Sequence, residues 1–114
     1  MKVCVIFGGV STEHDVSVVS GTSVIKNLNK EKYEIQPVYI DKDGQWYEYT
    51  KDVKDIDILS IGEQPKELKK VENIVDKLEQ CDVIFPVIHG IGGEDGSIQG
   101  LFKMVINHML DVEY

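Results

Sequence analysis

The chain has 114 residues, 42% of them hydrophobic and 28% charged, with a formal net charge of −8. That is the size of one domain with a single core, and the composition excludes a disordered or low-complexity chain. The acidic balance also excludes a nucleic-acid binder, which needs a basic face to neutralise phosphates, and no apolar run approaches the roughly 20 residues of a membrane span.

In chain order, "MKVCVIFGGV" has one lysine and a short apolar stretch before glycines, which predicts an opening buried strand and not a signal peptide. "VSTEHDVSVVSGTSVIKNLNK" carries Val16, Val19, Val24 and Leu28 at roughly helical spacing, with Asp and Ser near its start as cap candidates. "YEIQPVYID" is a second strand, so the first three elements are expected to form a right-handed βαβ unit. "DKDGQWYEYT" alternates aromatic and polar residues after an Asp-Gly and predicts a small hairpin or extended arm. There Trp46 and Tyr47 either pack on their own domain or stack on a ligand. Residues 51–65 are weakly patterned and are assigned as loop or short strand. "PKELKKVENIVDKLEQ" predicts an amphipathic helix with Pro65 ahead of it, a stripe of Leu68, Val71, Val75 and Leu78, and a solvated lysine and glutamate face. "CDVIFPVIHG" is a strand in which Pro86, lacking an N–H, belongs near an end or a free side. "GSIQGLFKMVINHML" places Ile98, Leu101, Phe102, Val105 and Met109 at helical spacing, with Ser97 or Asp95 as cap and His108 on its surface.

The expected fold is α/β: a three-layer, Rossmann-like open sheet, mainly parallel and flanked by helices, spanning 1–114 as one domain. Cys4 and Cys81 are too few for a disulfide framework and form no CxxC, so buried reduced thiols in a cytoplasmic protein are expected.

Two strands run through polar, glycine-bearing loops into helices: "GGVSTEHD" after the first and "HGIGGEDG" after the last. Ligands of open parallel sheets lie beyond the carboxyl ends of the strands. If these two strands are neighbours, Glu13, Asp15, His89, Glu94 and Asp95 face one crevice, where helix N-termini suit a carboxylate and the acidic side chains suit an ammonium. Such a crevice fits a zwitterion such as an amino acid. Each residue also has a plainer role. Glu13 can be a helix-capping acid, His89 a satisfied structural histidine, and Gly90, Gly92, Gly93 and Gly96 turn formers. His14 is expected exposed and inert. No GxxxxGK[ST], GxGxxG or GxSxG occurs, and His14, His89, Glu94 and Asp95 match no established zinc spacing, so no metal is expected in this chain.

"FGGVSTEHDVS" resembles the first loop and helix start of the D-alanine–D-alanine ligases. "HGIGGEDGSIQG" resembles the sequence by which that family is usually identified: His-Gly, two free positions, Gly-Glu-Asp-Gly, then an apolar residue, Gln and Gly. "YIDKDGQWY" is similar to the family's second strand and following arm. The resemblance extends to Phe102, and segment 103–114 departs from the family pattern, which would continue into a Pro-Tyr-Val-Gly-like link.

This resemblance implies the N-terminal domain of a three-domain ATP-grasp ligase acting in peptidoglycan precursor synthesis. ATP and magnesium would be bound by the central and C-terminal domains, which this sequence lacks, so the chain alone is expected to be inactive. In that family ATP phosphorylates the carboxylate of one D-alanine, and the amine of a second attacks the acyl phosphate. By the resemblance Glu13 would bind the first D-alanine's ammonium, Val16 would pack on its methyl, and Ser17 would link the loop to the next domain. His89 and Glu94 would line or brace the subsite, and Gly90, Gly92 and Gly93 would let the backbone approach. A homodimer is expected, with neither nucleic acid nor membrane as partner. Two other readings stay open: the same domain of a D-Ala–D-Ser or D-lactate ligase, and a non-catalytic dimerisation or interaction module.

Overall fold

The computed structural model describes residues 1–10 and 12–87. Strand β1 (Lys2–Gly8) leads into helix α1 (His14–Asn27), then β2 (Glu34–Ile40), β3 (Trp46–Tyr49), a single 3-10 turn at Val53–Asp55, β4 (Leu68–Lys70), α2 (Ile74–Glu79) and β5 (Val83–Val87). The strands form one sheet in the order β4-β3-β2-β1-β5. β1 pairs in parallel with β2 and β5, whereas β2 with β3 and β3 with β4 pair antiparallel, so only β3 runs against the common direction.

Alternation along β1 divides the core. Val3, Val5 and Phe7 face α1 together with Val18, Ile25, Ile35 and Tyr39. Cys4 and Ile6 face the other way, against Leu78, Cys81, Val38, Ile40 and Trp46. Helices on both faces of a central, fully buried strand give the expected three-layer α/β architecture, and they explain why β1 is a continuous apolar run. Burying a side chain such as Phe7 contributes roughly 1.5–3 kcal/mol. Pro37 lies just before the β2–β3 ladder begins at Val38, and Pro86 lies in β5, the terminal strand among the described residues, so neither missing N–H disrupts an interior pairing. The expected hairpin forms: β3 folds back on β2, Trp46 is buried, and Tyr47 stacks on Tyr39 with ring centroids 6.3 Å apart.

Three expectations are corrected. The helix expected over 65–80 is split into β4 and the short α2, which begins only after Asn73, whose side chain accepts from the Asp76 N–H. Unpaired backbone groups along β3 take Leu68–Lys70 as a strand instead, and Glu67, at φ 61, interrupts any helical path into it. Leu68 thus joins the α1-side core, while Val71, Val75 and Leu78 join the opposite one. Lys77 is not on a solvated face either: it pairs with Glu48 at 3.1 Å and donates to Gln36.

The second correction concerns α1. Its buried residues are His14, Ser17, Val18, Gly21, Thr22 and Ile25, whereas Val16 is 44% exposed. Small and polar residues share the inner face with Val18 and Ile25, and Val24 and Leu28 pack at its margin, because the helix lies almost in contact with β1. A methyl group at Gly21 would come within 2.3 Å of Phe7 Cβ. The polar groups on that face are satisfied locally, as where Thr22 donates to the Val18 carbonyl at 2.8 Å and accepts from the Leu59 N–H at 3.0 Å. His14 is the third correction: it is 1% exposed and hydrogen-bonded, because Gly9 and Tyr39 present polar partners to its ring beneath the first loop.

Cys4 and Cys81 are buried and unbridged. Cys81 donates to the Lys77 carbonyl at 3.8 Å, and contact with the Cys4 thiol pulls the Cys81 thiol below its ordinary range, helped by Lys2 and Lys77 against the effect of burial. The same contact, with burial, pushes the Cys4 thiol far up.

Two predictions follow from this packing. Gly21→Ala should lower stability by about 1–3 kcal/mol. A urea midpoint that falls at unchanged m-value would register it, and an unaltered midpoint would contradict the contact with Phe7. For the thiols, maleimide labelling of the native chain at mildly alkaline pH should modify Cys81 before Cys4, since the thiolate is the reacting form. Peptide mapping reads the order, and equal labelling would contradict the assigned polarity of the pair.

Candidate functional site

Adjacent registers of β1 and β5, with Phe7 opposite Val87, bring the exits of the two motif-bearing loops side by side. Of the two loops, 8–10 and 12–13 lie in the described residues. His89, Gly90, Gly92, Gly93, Glu94, Asp95 and His108, and the helix expected over 96–110, lie outside them.

The first loop leaves β1 through Gly8 and Gly9, at φ 95 and 103. An L side chain at Gly8 would both be strained there and meet the Ile40 carbonyl at 2.1 Å. Gly9 donates its N–H to that carbonyl at 2.8 Å, tying the turn to the end of β2.

Ser17, in the first turn of α1, joins this turn to β5. Its hydroxyl is fully buried, accepts the Gly8 N–H at 2.8 Å and donates to the Val87 carbonyl. One side chain therefore fixes α1 against the carboxyl ends of the two neighbouring strands β1 and β5. Its own N–H donates to the Glu13 carbonyl at 2.9 Å. Glu13 takes the N-cap position of α1, but its side chain makes no capping bond, and the residue is exposed. Val16 is exposed one residue before Ser17.

His14 has both ring nitrogens engaged: Nδ1 lies 2.6 Å from the Gly9 carbonyl oxygen, and Nε2 lies 2.9 Å from Tyr39 Oη and 3.3 Å from Gln64 Oε1. Tyr39 Oη is also 2.6 Å from Gln64 Oε1. Burial first, then Asp41 and Asp15, push the Tyr39 phenol up to about 12, so it remains a hydrogen-bond donor. Asp15 makes a long contact of 3.7 Å to Lys42, on the turn where Asp41 accepts from the Asp43 and Gln45 N–H groups. Beside it, a cavity of about 330 Å³ is lined by Tyr39, Asp41, Tyr47, Gln64 and Pro65 among others. Among the described residues no three His, Cys, Asp or Glu side chains group so as to hold a metal, and no helix is long and apolar enough to cross a membrane.

Sequence reasoning singled out Glu13, Val16 and Ser17 and missed Tyr39 and Gln64. Period-two alternation along β2 puts Tyr39 on the α1 side with Ile35, which is a usable signal, but Gln64 sits in a loop without periodicity. For His14 the signal was its spacing from Ser17, Val18 and Gly21, a stripe masked by the nearby valines.

Residues 2–108 match the family described as the D-ala D-ala ligase N-terminus. The chain belongs to that family. It is 50% identical over 107 residues to the D-alanine–D-alanine ligase of Clostridium novyi, covering 91% of this chain and 30% of that protein. Among solved structures, the D-alanine-D-alanine ligase of Coxiella burnetii is similar with a TM-score of 0.73 at 28% identity, covering 92% of this chain and 34% of that one. The VanG D-Ala:D-Ser ligase of Enterococcus faecalis has a TM-score of 0.69 at 37% identity, covering 91% and 33%. The chain thus spans about a third of the length of these ligase relatives.

Ser17→Ala should orphan two buried backbone groups, at a cost of about 1–3 kcal/mol each. Amide exchange at Gly8 is then expected to accelerate well beyond that of Val5, and unchanged protection would show that the hydroxyl is not the link.

Proposed function

We propose that this chain is the N-terminal domain of a D-alanine–D-alanine ligase and supplies part of the first D-alanine subsite. One observation carries the proposal: β1 and β5 are parallel neighbours, so the turn that leads to Glu13 leaves the sheet beside the carboxyl end of β5. Glu13, exposed and not used as a helix cap, pairs with the ammonium of the first D-alanine through a charge-assisted hydrogen bond. Val16 contacts the methyl group. Ser17 keeps Glu13 in register by holding the first turn of α1. By the family resemblance His89 and Glu94 line or brace the same subsite, and Gly90, Gly92 and Gly93 allow close backbone approach.

ATP and magnesium belong to the ATP-grasp parts of the ligase and supply the activation of the first D-alanine's carboxylate. The setting is cytoplasmic precursor synthesis for the cell wall, with a homodimer as the assembled form. A second reading, a D-Ala–D-Ser ligase, rests on the likeness to the VanG structure at 37% identity, which is below the 50% to the Clostridium novyi D-alanine–D-alanine ligase.

Glu13→Gln in the complete ligase should raise KM for the first D-alanine about 10- to 100-fold, the loss of one charge-assisted hydrogen bond. Steady-state kinetics with D-alanine, and with D-serine as competing second substrate, tests both readings. An unchanged KM would remove Glu13 from the subsite, and preferential formation of the mixed product would favour the second reading.

A further inference from the structure

The buried pair His14 and Tyr39, capped by the exposed Gln64 beneath the Glu13 turn, has a proton inventory that constrains its arrangement. The Gly9 carbonyl only accepts, so the hydrogen on His14 sits on Nδ1, 2.6 Å away. In a neutral ring Nε2 is then a bare acceptor. Tyr39 has a single hydroxyl hydrogen and two acceptors in reach, His14 Nε2 at 2.9 Å and Gln64 Oε1 at 2.6 Å. One of these contacts would face lone pair against lone pair.

Amide oxygen and nitrogen are nearly isosteric, and the network decides their placement. With the Gln64 amide turned over, only its 3.4 Å contact to the Gly62 carbonyl is given up. A single directed chain then results: Gln64 N–H donates to Tyr39 Oη, Tyr39 O–H donates to His14 Nε2, and His14 Nδ1–H donates to the Gly9 carbonyl. With the imidazole neutral, each link of this chain then pairs one donor with one acceptor, and the Gln64 oxygen is turned toward solvent at the exposed end. A buried polar ring with every contact directed is held rigidly, whereas a half-satisfied one is costly.

The chain ends at the one peptide from which the Glu13 turn departs. Gly9 is held through its N–H by Ile40 and through its carbonyl by His14. Its left-handed conformation, at φ 103, is thereby fixed at both ends. His14 is also the residue next to Glu13. At the other end, Gln64 follows a loop anchored by buried Ile56 and by the Leu59 N–H on Thr22.

We propose that His14 is a positioning residue of the first D-alanine subsite: locked as the Nδ1–H tautomer by Gly9 and steered by Tyr39 and Gln64, it sets where the Glu13 carboxylate stands. This rests on the assignment of Glu13 made above. The 60–66 loop thereby becomes a supporting part of the subsite although it does not touch the amino acid. A displacement near 1 Å at such a position costs on the order of 100-fold in efficiency.

The test has two arms. On the 114-residue chain, nitrogen-15 spectra of the imidazole, taken where the ring is neutral, should show His14 with Nδ1 protonated, and Tyr39→Phe should shift its Nε2 signal. Free exchange between tautomers, or an Nε2–H form, would overturn the proposal. In the complete ligase, asparagine at position 14 places its amide where Nδ1 was, whereas glutamine reaches toward Tyr39 but not Gly9. His14→Gln should therefore raise KM for the first D-alanine about 10- to 100-fold with a smaller change in kcat, and His14→Asn should recover most of that loss. Equal effects of the two variants would reduce His14 to a core residue. Glu13→Gln, run alongside, separates the failures: if it raises KM while His14→Gln does not, only the present inference falls, and if Glu13→Gln itself has no effect, the subsite assignment falls.

Discussion

The buried hydroxyl of Ser17 sits where three elements meet, accepting from Gly8 at the end of β1 and donating to Val87 at the end of β5. Much of the site depends on this contact. Two parallel strands meet at their carboxyl ends with backbone groups that the ladder no longer pairs, and burial makes such groups expensive. A serine in the first helical turn satisfies one from each strand at once. The helix start, the glycine turn and the beginning of the last loop are thereby held in one frame. Gly21 makes the contact possible, because only a residue without Cβ lets α1 sit close enough on Phe7.

Around that frame the polar groups are arranged in two tiers. Beneath the Glu13 turn, His14 and Tyr39 are buried and bond to one another, to Gly9 and to the exposed Gln64. Above it, Glu13 and Val16 are exposed and face outward. A site with a satisfied lower tier and an outward upper tier is suited to recognising a small charged molecule with little reorganisation on binding. The acidic character of the chain, −8 overall, adds a field that favours an ammonium over an anion at the exposed edge. The ligase relatives it resembles are about three times its length.

The division of labour between the two sheet faces explains why the fold tolerates an irregular middle section. Between β3 and β5 the chain supplies only a 3-10 turn, a three-residue strand and a six-residue helix. Each is nonetheless tied into a core by a few anchors: Ile56 and Leu68 on the α1 side, and Ile74, Val75 and Leu78 on the other. The Lys77 contact to Glu48 and Gln36 adds a partly buried polar tie across β2 and β3.

Local chemistry in the sequence was enough to determine much of this protein. Continuous apolar runs specify β1 and β2, Asp-Gly with alternating aromatics specifies the β2–β3 hairpin, and the glycine-rich loop exits mark the end of the sheet where a ligand belongs. Glu13, Val16 and Ser17 were legible because they sit in a contiguous motif. What the tertiary structure decided were the outcomes that depend on partners distant in the chain. Residues 68–70 carry helix-like periodicity, yet the open edge of β3 offers them hydrogen bonds, and edge pairing overrides the local pattern. The inner face of α1 is centred on the small Gly21 that permits close approach, with Val18 and Ile25 beside it and Val16 turned outward. His14 looked like a surface residue until Tyr39, 25 positions away, and Gln64, 50 positions away, closed over it. Sequence spacing encodes neighbours along one element, whereas the partners of a buried polar ring are set by how the elements cross, which no local pattern contains.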